Sequence, residues 1–172
     1  MRRVVYWGRI HTNLMKIPSL LLLLSLGTFG SVLAQDAAPA APLDFGDFTS
    51  ATLTSKAWKA SESKDFASAL GYAAKCIEMH GGVAVQQQKA LTAPLTEKEE
   101  IFEQWALNDV GTCYFIQGQV LEKQGKTKEA IVSYKFLTDN LAFAQCWDPK
   151  GWFWKPAGAA AGRIKALEFD AL

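Results

Sequence analysis

Apolar residues recur at the three-to-four spacing of a helix through most of this chain, and no stretch of useful length alternates as a strand does. That pattern restricts the fold to packed helices. Phe66, Ala69, Leu70, Ala73 and Ile77 share one stripe while Ser68, Lys75 and Glu78 fall elsewhere, which predicts a helix over 65–79 ended by Gly81-Gly82. Thr52 to Ser63 carries the weaker stripe Leu53, Ala57, Trp58 and Ala60 and reads as its antiparallel partner across a turn at Ser61 to Lys64. Val83 to Leu91 predicts a further short helix before Pro94. Thr96 with Glu99 matches a capping box, and Glu97, Glu99 and Glu100 oppose the helix dipole, so the next helix is expected to start at Thr96. Its stripe runs through Ile101, Phe102, Trp105 and Val110, with Asn108-Asp109 and Gly111 as candidate interruptions before Cys113 to Gln124 resumes it.

Gly125-Lys126 is the following turn, and Lys128 to Thr138 puts Ala130, Ile131, Tyr134 and Leu137 on one face. Asp148-Pro149 has the cap and first-turn residues of another helix start. A last helix over about 158–169 is expected to bury Ile164, Leu167 and Phe169. The expected fold class is all-α, built from antiparallel helix pairs.

The amino terminus reads as an address. Arg2, Arg3, Arg9 and Lys16 precede an apolar run of about 13 residues, short of the roughly 20 that span a bilayer, and Ser31-Val32-Leu33-Ala34 offers small residues for signal cleavage after Ala34. A secreted or periplasmic protein with no stable membrane span after cleavage is expected. Residues 35–50, opening Gln-Asp-Ala-Ala-Pro-Ala-Ala-Pro, read as a linker, and 51–172 as the helical domain. Asp44-Phe45-Gly46-Asp47-Phe48 fits either docking on that domain or continuing the tail. Four of the 18 basic residues and none of the 17 acidic ones lie before residue 35, so the mature chain is mildly acidic and offers no nucleic-acid footprint.

Tyr114, Gly118, Leu121, Gly125, Ala130 and Tyr134 stand where a tetratricopeptide repeat places a large residue, a small contact residue, an apolar residue, a tight turn, a small residue and an aromatic. The segment resembles that repeat. It departs from the pattern at Gln117, at Thr127 and in lacking a closing Pro near Ala142. A poorer copy runs through Leu53, Ala57, Ala60, Phe66, Ala69-Leu70 and Cys76-Ile77, and the two turns lie nearly twice the period of about 34 residues apart, so Val83 to Trp105 must be inserted. The resemblance implies a short stack of helix pairs with a carboxy-terminal capping helix and a protein or peptide partner. Cys146-Trp147-Asp148-Pro149-Lys150-Gly151-Trp152-Phe153-Trp154-Lys155-Pro156 is also similar to the tail of small secreted bacterial proteins with such helices, some of which carry a β-glucanase label.

The residues themselves supply no catalytic set. Glycoside hydrolysis needs two carboxylates across one bond, whereas Glu97, Glu99, Glu100 and Glu103 read as a solvated helix start. His80 has no nucleophile motif around it, and Cys76, Cys113 and Cys146 lack paired metal-ligand spacing, so no cofactor is expected. Cys76 and Cys113 fall on apolar stripes as buried thiols, and Cys113 with Cys146 is the pairing expected of any bridge. Trp147, Trp152, Phe153 and Trp154 suit either a lid over the end of the stack or a surface for a peptide or a glycan. The candidate partner-binding residues are therefore Trp147, Trp152 and Trp154 with the flanking Lys150 and Lys155, which suit an acidic partner, and Gln117 and Lys123 on the preceding helical pair.

Overall fold

The computed structural model describes residues 42–169; the expected signal segment, its cleavage point and the first part of the linker lie outside them. Among the described residues six helices and one two-stranded sheet follow in the order α1 (Ser50–Glu62), α2 (Phe66–Ala90), α3 (Lys98–Glu103), α4 (Trp105–Lys123), α5 (Thr127–Asn140), β1 (Cys146–Asp148), β2 (Trp152–Trp154) and α6 (Pro156–Phe169). The chain is mainly helical, as its periodicity predicts.

Each helix pair is closed by local chemistry. Thr49 caps α1 by accepting the Thr52 amide on its hydroxyl, and Asp65 caps α2 by accepting the Ser68 amide. Between them Lys64 takes φ +64°, which reverses the chain in three residues. At the end of α4 the Lys126 amide reaches back to the Leu121 carbonyl over Gly125 at φ +73°, a glycine closure of the kind expected there. Helices α1 and α2 pack on each other, as do α4 and α5; α2 also packs on α4, α1 on α4, and α6 on both α5 and α4. Helix α4 is thus surrounded, and Ala106, Leu107, Val110, Cys113, Ile116 and Val120 are fully buried along it.

Small residues set how closely the helices approach. A Cβ at Gly118 would overlap the ring of Tyr134, which is itself fully buried, and Ala130 is fully buried beside them. Gly111 plays the same part against Ala144.

Four sequence expectations are corrected. Helix α2 does not end at Gly81-Gly82 but continues to Ala90, absorbing the expected short helix. Two interior glycines cost roughly 1 kcal/mol each, and packing of Ala84 in the core, with Gln87 and Gln88 holding neighbouring backbone, outweighs that local preference. The Thr96 capping box does not form; α3 starts at Lys98 and gives way at Gln104, and α4 then runs unbroken through Asn108, Asp109 and Gly111.

The third correction concerns Asp148-Pro149, which opens a hairpin rather than a helix. Asp148 accepts the Lys150 amide on its side chain and the Gly151 amide on its carbonyl, while Gly151 takes φ +96°. Asp followed by Pro suits the first two positions of a turn as well as a helix start, and the Trp-Phe-Trp run that follows favours a strand. Finally, Phe169 is 76% exposed, so α6 buries Ile164 and Leu167 without it.

The contacts of Asp44 and Phe45 decide between the two alternatives the sequence leaves open for Asp44 to Phe48. Phe45 meets Tyr72 edge-on at 5.9 Å, the Lys75 ammonium stands 5.6 Å over the Phe45 ring, and Asp44 pairs with Lys56 at 2.7 Å. The segment before α1 is therefore docked, not a continuation of the tail.

Candidate functional site

The hairpin brings the tryptophans together. Its register pairs Cys146 with Trp154, Trp147 with Phe153 and Asp148 with Trp152, so Trp152 and Trp154 stand on one face and Phe153 with Trp147 on the other. Trp154 meets Trp58 of α1 at 6.3 Å and Phe115 of α4 at 5.3 Å, while Trp147 and Phe153 meet Phe102 of α3 at 6.2 and 5.5 Å. The approach to the hairpin is held by polar anchors. Buried Asn108 donates to the Ile101 carbonyl and accepts the Gln145 amide, Gln145 donates to the Leu95 carbonyl, and Thr112 bonds Cys146 at 2.8 Å. Gln87 joins the same scaffold by accepting the Leu107 amide at 2.8 Å, which holds the first turn of α4.

Two spaces flank this aromatic wall and share Trp58, Trp147 and Trp154. The outer one is an open groove of about 770 Å³ along α1, lined further by Phe115 and Trp152, with Lys59, Glu62 and Asp148 among its polar groups. The inner one is a cleft of about 290 Å³ lined further by Phe102 and Trp105, where Asp109 is the single charged lining residue among those described. Asp109 accepts the Ser50 hydroxyl at 2.5 Å on Oδ2. Burial pushes its carboxyl above the ordinary carboxylate range, against the hydrogen bond from Ser50 and the nearby charge of His80.

The three cysteines are free thiols, including Cys113 and Cys146, the pair expected of any bridge. Thr54 lies between Cys76 and Cys113, its hydroxyl 3.7 and 3.2 Å from the two sulfurs. The adjoining Cys76 thiol and burial push Cys113 well up, and burial pushes Cys146 up to about 12. At Cys113 and Cys146 the shift favours the protonated thiol, the opposite of what a nucleophile or metal ligand needs.

Of the residues singled out in the sequence, Trp147, Trp152 and Trp154 converge on the groove. Trp152 is 53% exposed, which makes it a surface of the groove rather than a buried lid, whereas Trp154 packs against the core. Lys150 and Lys155 are exposed on the hairpin turn and before α6 without lining either space, and Glu97, Glu99, Glu100 and Glu103 stay exposed around α3. Gln117 faces α5, accepting the Ser133 hydroxyl at 2.9 Å, and Lys123 lies over the Phe66 ring at 5.9 Å. Neither of these two approaches the groove.

Sequence reasoning missed Trp58, Phe102, Trp105, Phe115 and Asp109 as site residues. Trp58 was legible as a bulky residue among the small ones of its stripe; the others become neighbours only through packing. Comparison with protein-family models, curated proteins and solved structures finds no match to this chain.

Proposed function

We propose that this chain is an exported, non-enzymatic binding module, a short tetratricopeptide-like stack whose aromatic groove holds an extended segment of a protein partner. The pairs α1–α2 and α4–α5 act as successive repeats, and α6 as the capping helix. Contact of α1 with α4, the first helices of the two pairs, favours this reading, because first helices line the inner face of such a stack. The observation that carries it is the open groove of about 770 Å³, walled by Trp58 and Phe115 from those helices and by Trp147, Trp152 and Trp154 from the hairpin.

A glycan is the second reading, since aromatic rings also stack on sugars. The rings here are steeply inclined, 62° between Trp58 and Trp154 and 68° between Trp147 and Phe153, where a sugar-binding face wants flat, coplanar rings. Of the two carboxylates that line the groove, Glu62 and Asp148, Asp148 accepts the Lys150 amide in the hairpin turn, which does not favour processing of a glucan. The groove's geometry therefore favours a peptide.

The test is a peptide array and a glycan array probed with the mature chain and with Trp152→Ala. Peptide signals that Trp152→Ala abolishes support the proposal. Glycan signals lost in the same variant replace it with the second reading, and signals on neither array overturn both.

A further inference from the structure

The inner cleft has an unusual composition for its size. Trp58, Phe102, Trp105, Trp147 and Trp154 supply aromatic surface, no basic residue lines it among those described, and Asp109 supplies one carboxylate. Only one oxygen of that carboxylate is used: Oδ2 takes the Ser50 hydroxyl, and Oδ1 takes no hydrogen bond among the described residues. A ring face carries negative electrostatic potential, so several rings around a carboxylate attract a positive group whose alkyl parts they also shield from water.

The rim already holds such a group. The Lys98 ammonium stands 4.3 Å over the Trp147 ring and 5.7 Å over that of Phe102, and among the described residues it makes no ion pair. An ammonium thus already stands over two of these rings without an ion pair among the described residues.

We infer that the inner cleft is a subsite for an alkylammonium group, seated among Trp58, Phe102, Trp105, Trp147 and Trp154 and paired with Asp109. The inference deepens the binding reading above and rests on it, since the groove and the cleft share Trp58, Trp147 and Trp154. A segment lying in the groove carries the cation inward on a lysine side chain; a free quaternary amine offers the same chemistry without a peptide. The volume of about 290 Å³ accommodates a head group rather than a whole drug-sized ligand.

The measurement is titration of the mature chain at pH 7.5 with choline, with n-butylammonium, with the peptide acetyl-Gly-Lys-Gly-amide, and with the uncharged choline isostere 3,3-dimethylbutanol, read by tryptophan fluorescence and by calorimetry. Saturable binding of at least one cation, with the isostere at least tenfold weaker, is the expected result. Asp109→Asn, which keeps the side-chain shape, is expected to weaken the cation at least tenfold and leave the isostere unchanged. Trp147→Leu, at an exposed position, is expected to weaken it with no loss of helical circular dichroism.

Choline bound in preference to the lysine peptide assigns the subsite to a free amine, and the reverse assigns it to a peptide side chain. Equal binding of choline and its isostere, an unchanged cation affinity in Asp109→Asn, or no binding of any cation overturns the inference. Array peptides that still bind Asp109→Asn normally yet fail to bind Trp152→Ala would leave the groove standing and remove only the cation subsite.

Discussion

The ring of Tyr134 lies directly on the backbone of Gly118, so that α5 approaches α4 where α4 has no side chain. The Tyr134 hydroxyl then reaches Glu122, which also pairs with Arg163 of α6, and one aromatic residue thereby ties three helices together. Burial pushes the Tyr134 phenol far above its ordinary range, with the Glu122 carboxylate acting in the same direction.

Gly118→Ala tests that contact. The added methyl has no room against the ring, and overpacking of this kind costs about 1–3 kcal/mol, more than the helix preference of Ala over Gly returns. The expected outcome is a lower denaturant midpoint with an unchanged slope.

The opposite sign is expected at Gly81 and Gly82. A Cβ at Gly82 meets nothing within 4 Å, and at Gly81 only the Ile77 Cγ2 at 3.9 Å. Replacing both with Ala is expected to stabilise the protein by about 1–2 kcal/mol, measured as a rise in melting temperature. A helix that broke at these glycines would instead be disturbed by the change.

Trp154 and Trp152 separate stability from recognition. Trp154 packs against Trp58 and Phe115, and its replacement by Ala is expected to cost about 3 kcal/mol, near the low end for a large aromatic because the ring is only partly buried. Trp152→Ala removes a ring that is 53% exposed and is expected to change stability by less than about 1 kcal/mol while removing peptide binding. Thermal melts of the two variants, beside the array signals, check both statements.

Asp109 gives the protein a pH dependence of defined sign. Its carboxyl accepts the Ser50 hydroxyl of α1 and stands near His80 of α2, Cys113 and Cys146, while the Thr54 hydroxyl bonds the Asp109 backbone carbonyl; burial raises the carboxyl above its ordinary value of 3.8. The folded state therefore holds this proton more tightly than the unfolded state, so its contribution to stability is fully present below pH 3.8 and is lost as pH rises through the raised value. Asp109→Asn is expected to gain melting temperature relative to the parent as pH is raised from about 4 toward neutrality, with the difference smallest at the acid end. An equal difference at every pH would contradict this assignment.

Much of the helical frame was legible in the chain. The stripes at Phe66 to Ile77 and Ala130 to Leu137, the turn at Gly125 and the close contact at Gly118 all follow from side-chain volume and spacing over a few residues. Local signals of that kind operate within one or two helical turns, and there they held. They failed where a residue pair serves two local structures, as Asp148-Pro149 does, or where long-range packing outweighs a local penalty, as it does at Gly81-Gly82.

Of the candidate site, the tryptophans of the tail were visible as a concentration of aromatic surface, but their arrangement was not. Trp152 and Trp154 share a face because strand geometry, not helical geometry, governs them. Trp58, Phe102, Trp105 and Asp109 come from three different helices and meet the hairpin only when the helices pack around α4. By itself the sequence determined which segments coil, where small residues let them touch, and that aromatic area concentrates near the carboxy terminus. The tertiary structure alone decided that this area encloses a carboxylate, because contacts between residues far apart in the chain depend on how the helices pack and not on any spacing along it.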